Sequence, residues 1–379
     1  MKFINAEILW PTGLQQGEIS ISGEIVSDTC SGSEIDASGF KIVPGIIDLH
    51  GDAFDRHLAA RRGAVQEIDR GYWALDAEFG ANGISTAVLA QFYSWEGGMR
   101  GPAFCERMMA GLRSGEHNLT TDMKLQMRLE VSMVDDFEHA LSLIDRFDVS
   151  YVVFNDHLPR EALRAGKKPP RLTGTALKSG RSPETHLNLM YKMLENEPRE
   201  AAALEAFVQQ LNSRGIVVGS HDDREPDIRT AYRDLGVRIA EFPETAETAA
   251  AAIDAGDPVI VGAPNVVRGA SHNGNASGRD LVARGLVTAL VSDYHYPSLI
   301  SSARCLVNEG LCSLEEAWHL LSGGPASILN LTDRGTLERG KRADMVILEG
   351  QSLRVAGTLV AGRFSFLTGE LADRVVRGQ

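Results

Sequence analysis

Eight short apolar runs divide the middle of this chain, at 42–49, 84–90, 124–131, 149–155, 215–220, 236–240, 258–262 and 287–292. Helix-like stretches such as 70–81, 198–213 and 246–255 separate most of them. Gly83, Gly215, Gly236, Gly256 and Gly285 stand at or just before run starts, where a helix end turning into a strand needs positive φ. Strand–helix alternation repeated about eight times fits an α/β chain folded as a (β/α)8 TIM-like barrel. A doubly wound open sheet is the alternative, but no G-x-G-x-x-G opens a helix and no Walker A sequence occurs.

Both ends of the chain read differently from the middle. Ile4, Ile8, Ile19, Ile21 and Ile25 are set among polar positions, and Gly13, Gly17 and Gly23 punctuate them. Stretches 344–348 and 357–362 return to that style. We expect 1–42 and 333–379 to form one small β-sandwich from both termini, and 43–332 to form the barrel. The 379 residues, 43% of them hydrophobic, suffice for a barrel of ~250 residues plus that appendage.

The net charge of −13 argues against a nucleic-acid coat or an anionic membrane surface as partner. It leaves room for a small anionic substrate held by a local cluster of cations. Cys30, Cys105, Cys305 and Cys312 show no C-x-x-C spacing and read as reduced thiols. No run approaches the ~18 apolar residues of a membrane span, and the first residues lack the apolar core of a signal peptide. A cytoplasmic protein is expected; the sequence leaves association of identical chains open.

Several apolar runs end in side chains that bind metals. The first closes on Leu49-His50-Gly51-Asp52, and alternation on a strand would point His50 and Asp52 the same way. Glu130 lies late in the third run, His157 just after the fourth, His221 closes the fifth and Asp293 closes the eighth. A divalent metal centre at the carboxyl-end rim follows, with His50, Asp52, Glu130, His157, His221 and Asp293 as ligands. Two ions are expected. The nitrogen and carboxylate donors fit zinc first, with manganese or iron as alternatives. Each ligand has a blander reading: Asp293 could cap a helix, and Glu130 could pair with Arg128. Glu241, after the sixth run, rivals His157. Asp293 is also the expected catalytic residue, a general base that takes the proton of the attacking water.

Two segments suit a phosphorylated substrate. About sixty residues separate the fourth and fifth runs, and their first part is basic, with Lys167, Lys168 and Arg171 among the cations. Its Pro and Gly content reads as loop, so an anion clamp or lid is expected there; a solvated positive loop is the alternative. After the seventh run comes Gly262 to Asn275, rich in Gly and Asn. Asn265, Arg268 and His272 in it would bind phosphate, since loops after the last strands of such a barrel commonly do. Arg56, His57, Arg61 and Arg62 could add charge.

At these residues the chain resembles the amidohydrolase superfamily. Pro44-Gly45-Ile46-Ile47-Asp48-Leu49-His50 is similar to its opening signature, and Gly335 to Val346 to its closing one. A narrower resemblance is to the phosphonate-utilisation branch, the alpha-D-ribose 1-methylphosphonate 5-triphosphate diphosphatases. It is carried by Leu49 to Asp52, Gly219 to Asp223, Ile239 to Pro243, Gly262 to Asn275 and Ser292 to Leu299. The resemblance implies a distorted TIM barrel, and a metal-dependent hydrolase that cleaves a phosphoanhydride of a ribose-linked triphosphate and releases pyrophosphate. His50-x-Asp52 departs from the superfamily's general His-x-His. No bridging carboxylated lysine is evident, and Glu130 is its expected substitute. Two other readings remain open at this level: a carbon–nitrogen hydrolase (deacetylase, cyclic amidase or deaminase) with the same ligands, and a non-catalytic barrel.

Overall fold

The computed structural model describes all residues except 31, 60–67, 116–117, 270–275, 351 and 378–379. Five strands open the chain: β1 (Lys2–Trp10), β2 (Gly13–Ser22), β3 (Ile25–Ser27), β4 (Glu34–Asp36) and β5 (Phe40–Pro44). Eight more follow: β6 (Ile46–Gly51), β7 (Ile84–Tyr93), β8 (Asp122–Glu130), β9 (Tyr151–Asn155), β10 (Val217–His221), β11 (Ile239–Glu241), β12 (Val259–Gly262) and β13 (Ala289–Val291). The last three are β14 (Met345–Glu349), β15 (Val355–Val360) and β16 (Arg363–Leu367).

Strands β6 to β13 lie side by side in sequence order, each parallel to the next, as the alternation of apolar runs predicts. Such strands are covered on both faces, so their sequences read as nearly unbroken apolar runs. Ile47, Leu49, Val88, Tyr151, Val153, Ile239, Ile260 and Val291 fill the interior. Residues such as Val152, Phe154, Leu125 and Met127 pack against the surrounding layer.

The barrel is nearly closed, and its last seam bears directly on the site. Strands β6 and β13 meet through a single bridge between Gly51 and Asp293. There Asp293 N donates to His50 O at 2.9 Å, and Asp52 N to Asp293 O at 2.9 Å. Lower down, Leu320 and Leu321 fill the gap by accepting from Leu290 N and Ile47 N. The buried Asp48 carboxylate accepts from Ser292 N and Oγ across the same seam. A Cβ on Gly51 would lie 2.8 Å from the Tyr296 ring and 2.9 Å from Asp48 Oδ2, so only glycine fits.

The expected strand 42–49 divides at Gly45. Its first half joins the outer sheet and its second half opens the barrel. A Cβ at Gly45 would fall 2.3 Å from Ser85 Oγ, which explains why glycine stands where the chain crosses between layers. The strands from the two termini pair into one sheet in the order β16-β15-β14-β5-β1-β2-β3, with β4 also on β1. Antiparallel pairing of Met345 with Pro44, and of Ile347 with Ile42, joins the C-terminal strands to the N-terminal ones. Phe3, Ile8, Ile19, Ile42, Met345 and Leu359 share its core. Gly369–Arg377 forms a helix that the β-rich reading of the C-terminus does not anticipate.

The segment after β9 also departs from expectation. It is mostly helical, with helices at Arg160–Arg164, Leu172–Lys178, Pro183–Leu194 and Glu197–Ser213. Pro159 stands at the N-cap of the first of these helices, Pro169 and Pro170 remain in the turn before the second, and Ser182 caps Thr185 N just ahead of Pro183 in the third. The helix expected over 198–213 forms, with Pro198 in its first turn. Among the described residues, no helix is long and apolar enough to cross a membrane.

Candidate metal centre

The carboxyl ends of the barrel strands carry a ring of inward-facing polar side chains. In β8 every second residue is polar, giving Gln126, Arg128 and Glu130, all buried. Strand β9 adds Asn155, β10 adds His221 and β11 adds Glu241. His50 reaches this ring by a different route. Ile47 and Leu49 face the interior, so strict alternation would turn His50 outward. The β6–β7 ladder instead slips between Asp48 and Gly51, and this bulge re-aims the chain. His50 Nδ1 then lies 2.8 Å from Glu241 Oε2.

One donor atom each from His50, His221 and Glu241 falls within 4.8 Å of the others. Ligands at ~2.0–2.2 Å from one ion are separated by at most about 4.4 Å, so little contraction is needed. His50 Nε2 and His221 Nδ1 are buried and have no hydrogen-bond partner among the described residues. Asp222 Oδ2 is 3.0 Å from His221 Nδ1 but off the line of a hydrogen bond. Arg128 Nη2 donates to His221 Nε2 at 3.0 Å, so the single proton of the neutral ring sits on Nδ1, and His221 can ligate an ion only once Arg128 has left Nε2. The unpaired His50 Nε2, with His221 and a buried carboxylate beside it, fits a divalent metal. Gln126 Nε2, at 2.8 Å, and the Tyr151 hydroxyl both donate to Glu241 Oε1 and fix that carboxylate.

A cavity of about 290 Å³ reaches this cluster at His221, while His50 and Glu241 are fully buried and do not line it. Asp52, His157, His221 and Asp293 of the expected ligand set line it, as do Asn265 and Arg268 of the expected phosphate site. The structure brings Glu241 beside His50 and His221, and gives Glu130 another part. Both Glu130 oxygens are taken by His157, one by its backbone N at 3.0 Å and one by Nδ1. Glu130 thereby holds the His157 ring against the cavity wall. Asp52 pairs with Arg128 at 3.7 Å. Lys167, Lys168 and Arg171 are exposed on the helical connection after β9, and none of them lines the cavity. Neighbouring cations are otherwise engaged: Arg160 binds Asp156 and Glu200, and Arg181 donates to the carbonyls of Trp95 and Glu96 in the loop after β7. His272, Arg61 and Arg62 lie outside the described residues.

Sequence reasoning passed over Arg128, Gln126, Tyr151, Arg100 and Asp222. The polar residues at every second position of an apolar run could have revealed the first two, because a barrel interior shows one face of each strand. Arg100 lies on the loop after β7 and lines the cavity with no comparable signal. Asp222, Phe242 and Asp293 all have positive φ, at 60°, 52° and 55°. Such backbone costs about 1–3 kcal/mol per residue, and it clusters at functional sites. The Phe242 ring lies against both histidines, with centroids 5.1 Å from His50 and 4.9 Å from His221.

Burial and the charge of Arg128 push His221 down to about 4, so its imidazole is neutral near pH 7. Burial and the nearby Asp52 charge push Asp293 up to about 6. Between pH 4 and 6 the folded protein therefore holds a proton on Asp293 that the unfolded chain has released. The stability this contributes is complete below pH 4 and is lost as pH rises through about 6. Asn cannot ionise and escapes that loss. Metal-free Asp293→Asn is expected to be more stable than the parent at pH 7, by on the order of 2 kcal/mol, with the gap closing near pH 4. Chemical denaturation at the two pH values checks this; an equal gap at both would contradict the placement of Asp293.

A family model described as the amidohydrolase family matches residues 277–366. The alpha-D-ribose 1-methylphosphonate 5-triphosphate diphosphatase of Escherichia coli (strain K12) is 30% identical over 351 residues, covering 88% of this chain and 89% of that protein. Among solved structures, an amidohydrolase superposes with a TM-score of 0.66 at 15% identity, covering 97% of this chain and 99% of its own. The N-acetylglucosamine-6-phosphate deacetylase of Pasteurella multocida gives 0.64 at 13% identity, with 96% and 98% covered. An atrazine chlorohydrolase from Arthrobacter aurescens, solved with zinc, gives 0.60 at 13% identity, with 100% and 98% covered. These structures share the fold. The identity to the E. coli enzyme along nearly the whole of both chains goes further: this chain belongs to the amidohydrolase superfamily, in the family of that diphosphatase.

Proposed function

We propose that this hydrolase cleaves a phosphoanhydride bond of a ribose 1-phosphonate 5-triphosphate and releases pyrophosphate, as a step in phosphonate catabolism. One observation supports the choice of substrate class most: three guanidinium groups, of Arg100, Arg128 and Arg268, line the cavity that reaches the His50–His221–Glu241 cluster at His221. Among the described residues Arg268 has no carboxylate partner; it lies over the Tyr294 ring at 5.9 Å. Polyphosphate oxygens are the natural acceptors for such forks.

His50, His221 and Glu241 would hold the divalent ion, with Asp293 and Asp52 beside them, and a second ion is part of this reading. When bound, the metal supplies charge neutralisation and a water of lowered pKa. Asp293 accepts the proton of the attacking water at its carboxylate. The water oxygen bonds to phosphorus while the bridging oxygen between the first and second phosphates departs with the pyrophosphate. Arg128, fixed by Asp52, Asn155 and the Phe92 ring, and Arg268 across the cavity bind the phosphate oxygens as charge moves onto them. Glu130 keeps His157 oriented toward the same cavity.

Purified protein loaded with zinc, manganese or iron is expected to release one pyrophosphate per ribose 5-triphosphate consumed. Chromatography or a coupled pyrophosphate assay reads this. No release from any sugar triphosphate at full metal occupancy, with release of acetate or ammonia from amide substrates instead, would move the activity to carbon–nitrogen bonds.

A further inference from the structure

A second cavity, of about 230 Å³, opens beside the metal cavity. The two share Asp52, Phe92, Arg100 and Tyr294, so a molecule lying across Phe92 and Tyr294 reaches both. The second cavity has its own polar groups, Asp55 and Arg56, from the helix that follows β6. Its remaining wall is partly apolar, with Ala53, Phe54 and Met99.

We propose that this cavity is the subsite for the sugar end of the substrate: it binds a ribose through Asp55 and an anionic group on the anomeric carbon through Arg56. The inference rests on the hydrolase reading for what occupies the metal cavity, and the chemistry of the second cavity decides which end goes there. Pyrophosphate is better served in the metal cavity, where Arg128 and Arg268 add to the shared Arg100 and a bound divalent ion would balance the carboxylates; the second cavity adds only Arg56. A ribose is suited to it. The Asp55 carboxylate has no side-chain hydrogen-bond partner among the described residues, and an ionised carboxylate only accepts, so it matches the donor hydroxyls of a vicinal diol. One sugar face can lie on apolar wall while its hydroxyl edge meets Asp55.

The two arginines enter this cavity partly occupied. Arg56 reaches Glu78 through Nη2 and lies over the Tyr296 ring at 5.5 Å. Arg100 donates to Glu96 at 2.6 Å and lies over the Phe92 ring at 4.2 Å. Each guanidinium has five N–H donors, so both keep several for a ligand, and the carboxylates and rings fix their planes. Arg100, on the wall between the cavities, is placed to bind the phosphate that links the two ends. The layout orders the substrate: pyrophosphate toward Arg268 and Asn265, scissile bond over the metal cluster, sugar and anomeric anion toward Asp55 and Arg56.

Binding to the metal-loaded protein tests this by calorimetry, with ribose 5-phosphate, ribose 1,5-bisphosphate and pyrophosphate as probes. Asp55→Ala is expected to weaken both ribose phosphates about tenfold and pyrophosphate much less. The anomeric phosphate should strengthen binding of the sugar in the parent, and Arg56→Gln should erase that gain. Asp55→Asn, which keeps the size and loses the charge, guards against a merely steric effect and should also weaken the sugar probes. Sugar affinities within twofold of the parent in both Asp55 variants would overturn the proposal, as would equal losses for sugar and pyrophosphate. If Asp55-dependent sugar binding is found but no triphosphate is cleaved, the hydrolase reading fails and the subsite stands. If triphosphates are cleaved with no preference for a sugar-bearing one over inorganic triphosphate, the subsite fails and the hydrolase reading stands.

Discussion

His221→Ala is expected to lower the hydrolytic rate by about 10³-fold or more, and to remove most of the bound divalent metal. Loss of an ion that contributes several kcal/mol to a transition state sets that scale, since each 1.36 kcal/mol is a factor of ten. The fold should survive. His221 is neutral, its Nδ1 has no hydrogen-bond partner among the described residues, and it stands at the open end of β10. Elemental analysis after dialysis, the pyrophosphate-release rate and a melting curve together make the test. A variant that keeps its metal and a rate within twofold would show that the ion, if any, sits elsewhere. A variant that loses its metal but melts cooperatively near the parent's metal-free temperature would match the geometry: a site assembled on a rim that the core supports without it.

Arg229→Met is expected to cost about 3–5 kcal/mol of stability, although it lies outside the cavity. Arg229 is a fully buried cation on the helix after β10. It donates to Ser220 Oγ at 2.7 Å, Asp223 Oδ2 at 3.1 Å and Ile239 O at 3.1 Å, and also to Val237 O. These bonds tie the end of β10 to the start of β11, which carry His221 and Glu241. Methionine fills the volume but leaves the Asp223 carboxylate buried without a counter-charge, and uncompensated burial is the costly part. The double variant Arg229→Met/Asp223→Leu should therefore recover most of the loss. Urea denaturation reads both. A single variant within 1 kcal/mol of the parent would mean that water or a rearranged backbone takes the place of the guanidinium.

How much of this was visible in the chain differs from element to element. The barrel was legible because parallel strands covered on both faces must be apolar throughout, and helices must separate them. His50, His221 and Asp293 were legible because ligand-type side chains stood at the ends of such runs. The first part of the segment after β9 was partly misread: its prolines and glycines suggested loop, yet Pro159 stands at the N-cap of Arg160–Arg164 and Leu172–Lys178 is helical, while Pro169 and Pro170 do lie in the turn between them. Two of its cations, Arg160 and Arg164, pair with Asp156, Glu197 and Glu200, and a count of local charge does not connect them with Glu197 and Glu200.

The exchange of Glu130 for Glu241 at the cluster has the same kind of cause. Both end strands and both face inward, and nothing local separates them. What separates them is the partner each meets across the barrel: His157 for Glu130, His50 for Glu241. The β6 bulge that delivers His50 exists only in the pairing of β6 with β7. Periodicity and residue type are properties of a segment, so the sequence alone determined the strands, their parallel order and the kinds of donor on the rim. Which donors meet depends on register, ring closure and bulges, which arise when segments distant in sequence pack, and the folded barrel alone decided that.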